Sequence, residues 1–98
     1  MTVTLGILAL LEAKAGKGDE LAAFLTAGRD LAVAEEGTVT WYAFKLSDTT
    51  YGIFDTFASE DSRQAHLTGQ IPAALGEVAA DLLAKDPDIK LIDIVAVK

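Results

Sequence analysis

The feature that most constrains this chain is a strand that is apolar on both of its faces. Thr2 to Ala13 is rich in Val, Ile and Leu and too marked by Gly and Thr for a helix, so it reads as a strand. Alternation puts Val3, Leu5, Ile7, Ala9 and Leu11 on one side and Leu8 and Leu10 on the other. A strand that is apolar on both sides must be covered on both. The last predicted strand, Ile89 to Val97, has the same property.

Between them the spacing alternates in type. Lys14 to Gly18 is a loop, and Asp19 to Glu36 reads as a helix with Leu21, Phe24, Leu25, Gly28, Leu31 and Ala32 on one face. Gly37 is placed to end it. Glu35 and Glu36 oppose the helix dipole there, and two exposed glutamates are the simplest expectation. Thr38 to Leu46 and Tyr51 to Ala58 are strands separated only by Ser47-Asp48-Thr49-Thr50, hence a hairpin. Ser59 is a helix N-cap, and its helix runs to about Leu67 and stops at Gly69. A further helix starts near Pro72, with Leu75, Val78, Ala79, Leu82 and Leu83 on its apolar face, and Asp86-Pro87-Asp88 breaks it.

The order strand, helix, strand, strand, helix pair, strand predicts a ferredoxin-like α+β domain over residues 1–98: a four-stranded antiparallel sheet with helices on one face. Helices cover only one side of such a sheet. The second apolar side calls for a partner, and another copy of the same sheet is the simplest one. The chain is therefore expected to form a homodimer. Its high apolar share, 51%, points the same way.

A net charge of −7 repels phosphate backbones and anionic lipid, so neither nucleic acid nor a membrane is an expected partner. The apolar run at Leu5 to Leu11 follows no cationic segment and precedes no small-residue cleavage site, so it does not read as a signal peptide. The absence of cysteine suits a cytoplasmic location and leaves no thiolate for metal or nucleophilic chemistry. With a single histidine and no carboxylates spaced as a ligand set, neither a metal nor another cofactor is expected. Gly16-Lys17-Gly18 lacks the glycine and hydroxyl pattern of nucleotide loops, and no G-x-S-x-G elbow occurs.

Two residues carry candidate chemistry. His66 is either a helix-end histidine serving the carbonyls of its own helix or a general acid or base with a reference pKa of ~6.5. Asp55 lies mid-strand, where a carboxylate is costly to bury unless paired. It is either a satisfied structural group or a pocket residue. If Leu46 stands opposite Tyr51, Tyr42 falls opposite Asp55; one residue of slip puts Trp41 there. Trp41, Tyr42, Tyr51 and Phe54 are candidates for an aromatic binding surface as well as for core.

At Glu35-Glu36-Gly37-Thr38, Tyr51-Gly52-Ile53-Phe54-Asp55 and Ala65-His66-Leu67-Thr68-Gly69 the chain resembles the antibiotic biosynthesis monooxygenase family, in its quinol monooxygenase branch. The resemblance runs from the first strand to the last. It implies a dimeric α/β barrel, two sheets packed face to face, that oxidises a small phenol or quinol with molecular oxygen and no cofactor. A phenolic proton is removed, the anion reacts with oxygen, and a peroxide collapses to a quinone. The chain departs from the family in having no asparagine. Phe57 stands where haem-degrading relatives carry tryptophan, which argues against haem degradation. Catalysis would then fall to His66 and Asp55, with Trp41, Tyr42, Tyr51 and Phe54 around the substrate. Two other readings stay open: a non-catalytic dimeric barrel that binds a hydrophobic metabolite or serves in stress response, and a proton-transferring isomerase or decarboxylase.

Overall fold

A computed structural model of the chain describes residues 3–98. Its elements are β1 (Leu5–Glu12), α1 (Gly18–Ala34), β2 (Thr38–Lys45), β3 (Thr50–Phe57), α2 (Glu60–Leu67), α3 (Gln70–Leu82) and β4 (Asp88–Asp93). All four strands form one antiparallel sheet in the order β2-β3-β1-β4. This is the ferredoxin-like α+β fold, with the second crossover broken into two helices.

Register decides which side chains lie beneath the helices. Ile7 pairs with Asp55, Ala9 with Ile53 and Leu11 with Tyr51 across β1 and β3. Ala9, Leu11, Tyr51 and Ile53 meet Leu21 and Leu25 of α1 and Leu75 of α3 in the buried core. Each such leucine is worth about 2 kcal/mol of transfer free energy, which makes this the main cohesive layer.

The opposite face carries Leu8 and Leu10 of β1, Phe54 of β3 and, in register with them, Tyr42 and Phe44 of β2. Tyr42 is 59% exposed, and the other four are only half-buried. The two-sided apolar pattern of β1 is therefore present. Gly52 belongs to this face because a Cβ there would collide with the ring of Phe44.

Several boundaries shift. The expected start of the first strand at Thr2 lies outside the described residues, and β1 proper begins at Leu5. Helix α1 ends at Ala34 rather than Glu36, because Glu35 takes an extended backbone, with ψ of 109°, and becomes the C-cap. Pro72 sits in the first turn of α3, where its missing N–H costs nothing. β4 stops at Asp93, since its pairing with β1 ends at Leu5↔Asp93; Ile94 keeps one backbone bond, to the Thr4 carbonyl at 2.7 Å. Beyond it Val95 is 98% exposed.

The hairpin settles the open register. Lys45, not Leu46, stands opposite Tyr51, so Trp41 faces Asp55. The turn explains this: the Leu46 amide donates to the Thr50 carbonyl at 2.8 Å, and Ser47 Oγ accepts from the Thr50 amide at 3.0 Å, which makes Leu46 a loop residue.

Candidate functional site: a histidine between two carboxylates

Three elements converge at the end of the sheet where α1 stops. β3 presents Asp55 and Phe57 upward, α2 lies above them, and the α1–β2 turn closes the side. α2 is placed by its cap, Ser59 Oγ accepting from the Ser62 amide at 3.1 Å. It approaches the turn closely because Gly37 lacks a side chain; a Cβ there would meet Ser62.

The only buried residues of α2 are Arg63 and His66. Arg63 donates through Nε and Nη2 to both Glu60 oxygens, at 2.9 and 2.6 Å, and through Nη1 to the carbonyls of Gly6 and Ile92, at 3.3 and 3.2 Å. It ties the helix to the β1–β4 end of the sheet, and Glu60 raises its pKa further.

His66 is held on both ring nitrogens. Nδ1 lies 2.7 Å from Glu35 Oε1, and Nε2 lies 3.0 Å from Asp55 Oδ2. The ring of Phe57 packs against it at a centroid distance of 5.1 Å. Glu35 Oε1 also accepts from the Thr38 hydroxyl at 2.7 Å. His66 is 7% and Asp55 1% exposed, so two carboxylates share one buried imidazole. Burial, the largest single influence, pulls the His66 pKa down, but Asp55 and Glu35 together outweigh it and raise it above the usual value. The resting ring is thereby biased toward the imidazolium, the only form with a proton for each carboxylate.

The contact to Asp55 is short but off-line. Both Asp55 oxygens and Trp41 Nε1 lack a well-directed hydrogen bond among the described residues. Asp55 therefore depends almost wholly on His66 for its charge.

A cleft of about 370 Å³ opens beside this pair, between the end of α1, the turn after it and α2. Glu35, Glu36, Thr38, Ser62, His66 and Gln70 supply its polar side chains, and Leu31 and Ala65 are among its apolar ones.

The structure is similar to that of a protein of unknown function from Nitrosomonas europaea, with 47% identity, a TM-score of 0.96, and 98% of this chain and 93% of that one covered. The chain belongs to the family of that protein. A second Nitrosomonas europaea protein, provisionally named an antibiotic biosynthesis monooxygenase, shares the fold at 11% identity and a TM-score of 0.82, over 94% of this chain and 99% of the other. One of the same provisional name from Caulobacter crescentus aligns at 20% identity and a TM-score of 0.71, over 96% and 92%. No family model matches the chain, and no curated protein does.

Within this family member, His66 and Asp55 come together, which the sequence leaves open, and in a way neither sequence reading of His66 describes. The histidine does not serve helix carbonyls; it is clamped between carboxylates. Glu35 is correspondingly not a bystander glutamate, whereas Glu36 is exposed. The aromatic candidates divide. Trp41 and Tyr51 lie on the helix side of the sheet, Tyr51 at 3% exposure in the core, while Tyr42 and Phe54 lie on the opposite face. None of the four lines the cleft at His66. A second groove of about 300 Å³ on the open face includes Tyr42, Phe54, Ile94 and Val97. Among the described residues no three metal-ligating side chains gather, and both His66 nitrogens are already engaged. No helix there is long and apolar enough to cross a membrane.

Proposed function

We propose that this protein is a cofactor-independent monooxygenase acting on a small phenol or quinol, with His66 as the proton acceptor and Asp55 as the group that holds it. The observation that carries the reading is a buried Asp55–His66 pair whose imidazole edge reaches a cleft of about 370 Å³. The shared fold of two provisionally named antibiotic biosynthesis monooxygenases supports it.

The chemistry follows from the pair. Nε2–H facing the buried Asp55 orients the ring and leaves Nδ1, once its contact to Glu35 opens, as the basic atom on the cleft side. A phenol of pKa ~10 gives its proton to Nδ1, and the phenolate passes an electron to oxygen. Recombination forms a ring-carbon peroxide, which collapses to a quinone with loss of water. One oxygen atom enters the product and the other leaves as water, so phenol and O2 yield quinone and H2O in balance.

Oxygen uptake with a panel of hydroxylated aromatics tests this. With a substrate that wild type oxidises, His66→Ala should lower turnover by ~10²-fold or more, and Asp55→Asn should also lower it. Turnover without oxygen uptake would move the site to isomerase or decarboxylase chemistry. Ligand binding without turnover would leave a binding module.

A homodimer is part of the same proposal. Leu8, Leu10, Tyr42, Phe44 and Phe54 form an apolar sheet face that the same face of a second copy would cover. Light scattering should give twice the 10.3 kDa of one chain.

A further inference from the structure

His66 meets two carboxylates but keeps only one N–H when neutral, so one contact must then give way. The two sides are unequal. Asp55 is 1% exposed, and no other side chain among the described residues hydrogen-bonds it. Without the N–H it would be a buried, unpaired charge. Glu35 is 22% exposed, retains the Thr38 hydroxyl and can be hydrated from the cleft it lines.

We propose that Glu35 is a proton-released strap over the cleft: when His66 gives one proton to solvent, Nε2–H stays on Asp55, the Nδ1 contact to Glu35 opens, and Nδ1 becomes free to accept a proton from a ligand. This deepens the reading above by naming what gates its base. In the strapped form Glu35 blocks Nδ1, so the imidazolium form is inactive. Releasing the strap also loosens the α1–β2 turn, whose Thr38 amide donates to the Glu35 carbonyl at 3.3 Å.

The surrounding charges leave this choice to the two carboxylates. From β3 the ring faces Asp55, and from the end of α1 it faces Glu35; Glu36 of the following turn lines the same cleft but is exposed to solvent. On its own helix, Arg63 is matched by Glu60 and also sees Asp93 of β4. α3 opens with uncharged Gln70, and its Glu77 and Asp81 are exposed. The charged ends of β1 and β2, Glu12 and Lys45, bond or pair at the far end of the sheet, with Thr50 and Asp48.

The test is a nitrogen-15 NMR titration of the resting protein labelled at histidine, which needs no substrate. Above the midpoint His66 should show a protonated Nε2 and a lone pair on Nδ1. Glu35→Gln removes a partly exposed charge and should keep the fold, checked by circular dichroism; it should lower the proton affinity of His66 about tenfold or more. In wild type, protection of the Thr38 amide should fall through the same midpoint, after correction for intrinsic exchange. The opposite tautomer, or an unchanged midpoint in Glu35→Gln, would overturn the strap. Because no turnover enters, a failure of quinol oxidation leaves this result readable on its own.

Discussion

The helices of this fold are fastened to the sheet in two different ways. α1 and α3 are held by leucines: Leu21 at 0%, Leu25 at 3%, Leu75 at 7% and Leu82 at 5% exposure. α2, which lies between them in chain order, buries only Arg63 and His66. Apolar attachment is non-directional and indifferent to protons. Polar attachment is directional and depends on every partner keeping its charge. The difference teaches where adjustable chemistry sits in so small a domain: on the one helix whose docking a proton can alter, beside the cleft.

Asp55→Ala should cost about 3–5 kcal/mol in urea unfolding near neutral pH, because it removes one partner of a buried pair and leaves His66 Nε2 facing an empty apolar site. A cost under about 1 kcal/mol would mean that α2 is held by something else. Leu21→Ala should cost about 3 kcal/mol, and that cost should be the same at pH 6 and pH 9.

The pH dependence sharpens the contrast. The folded pKa of His66 lies above its unfolded value of ~6.5, so the folded state binds this proton more tightly. Its stabilising contribution is complete below about pH 6.5 and fades as pH rises through the raised folded value. Wild type should therefore lose stability over that window, and Glu35→Gln should lose less. A flat profile in wild type would refute the charged attachment of α2. The smallest expected effect is at its N-cap, where Ser59→Ala should cost about 1 kcal/mol in the same assay.

Much of the fold is legible in the chain itself. Hydrophobic period separates strands from helices, and Ser59 marks its cap, whereas α3 ends at Leu82, before Asp86-Pro87-Asp88, because Leu83 turns extended and bridges Ala13. Legibility fails at the edges. Glu35 leaves the helical path one residue after Ala34, because its side chain is needed by His66 and Thr38, and the first of these contacts spans a long sequence separation. Arg63 gives no signal for a similar reason: a lone arginine on a polar helix looks solvated until the carbonyls of Gly6 and Ile92 are brought beneath it.

The element order, the two-sided apolar strands, and the oddity of a mid-strand Asp55 and a lone His66 can be read along the chain, because they are properties of local period and composition. Long-range pairing decides that Trp41 and not Tyr42 faces Asp55, that the aromatic candidates fall on opposite faces, and that Glu35 completes the clamp on His66. A one-residue change of register inverts a strand's faces, and a hydrogen bond between residues 31 positions apart leaves no periodic trace in the chain.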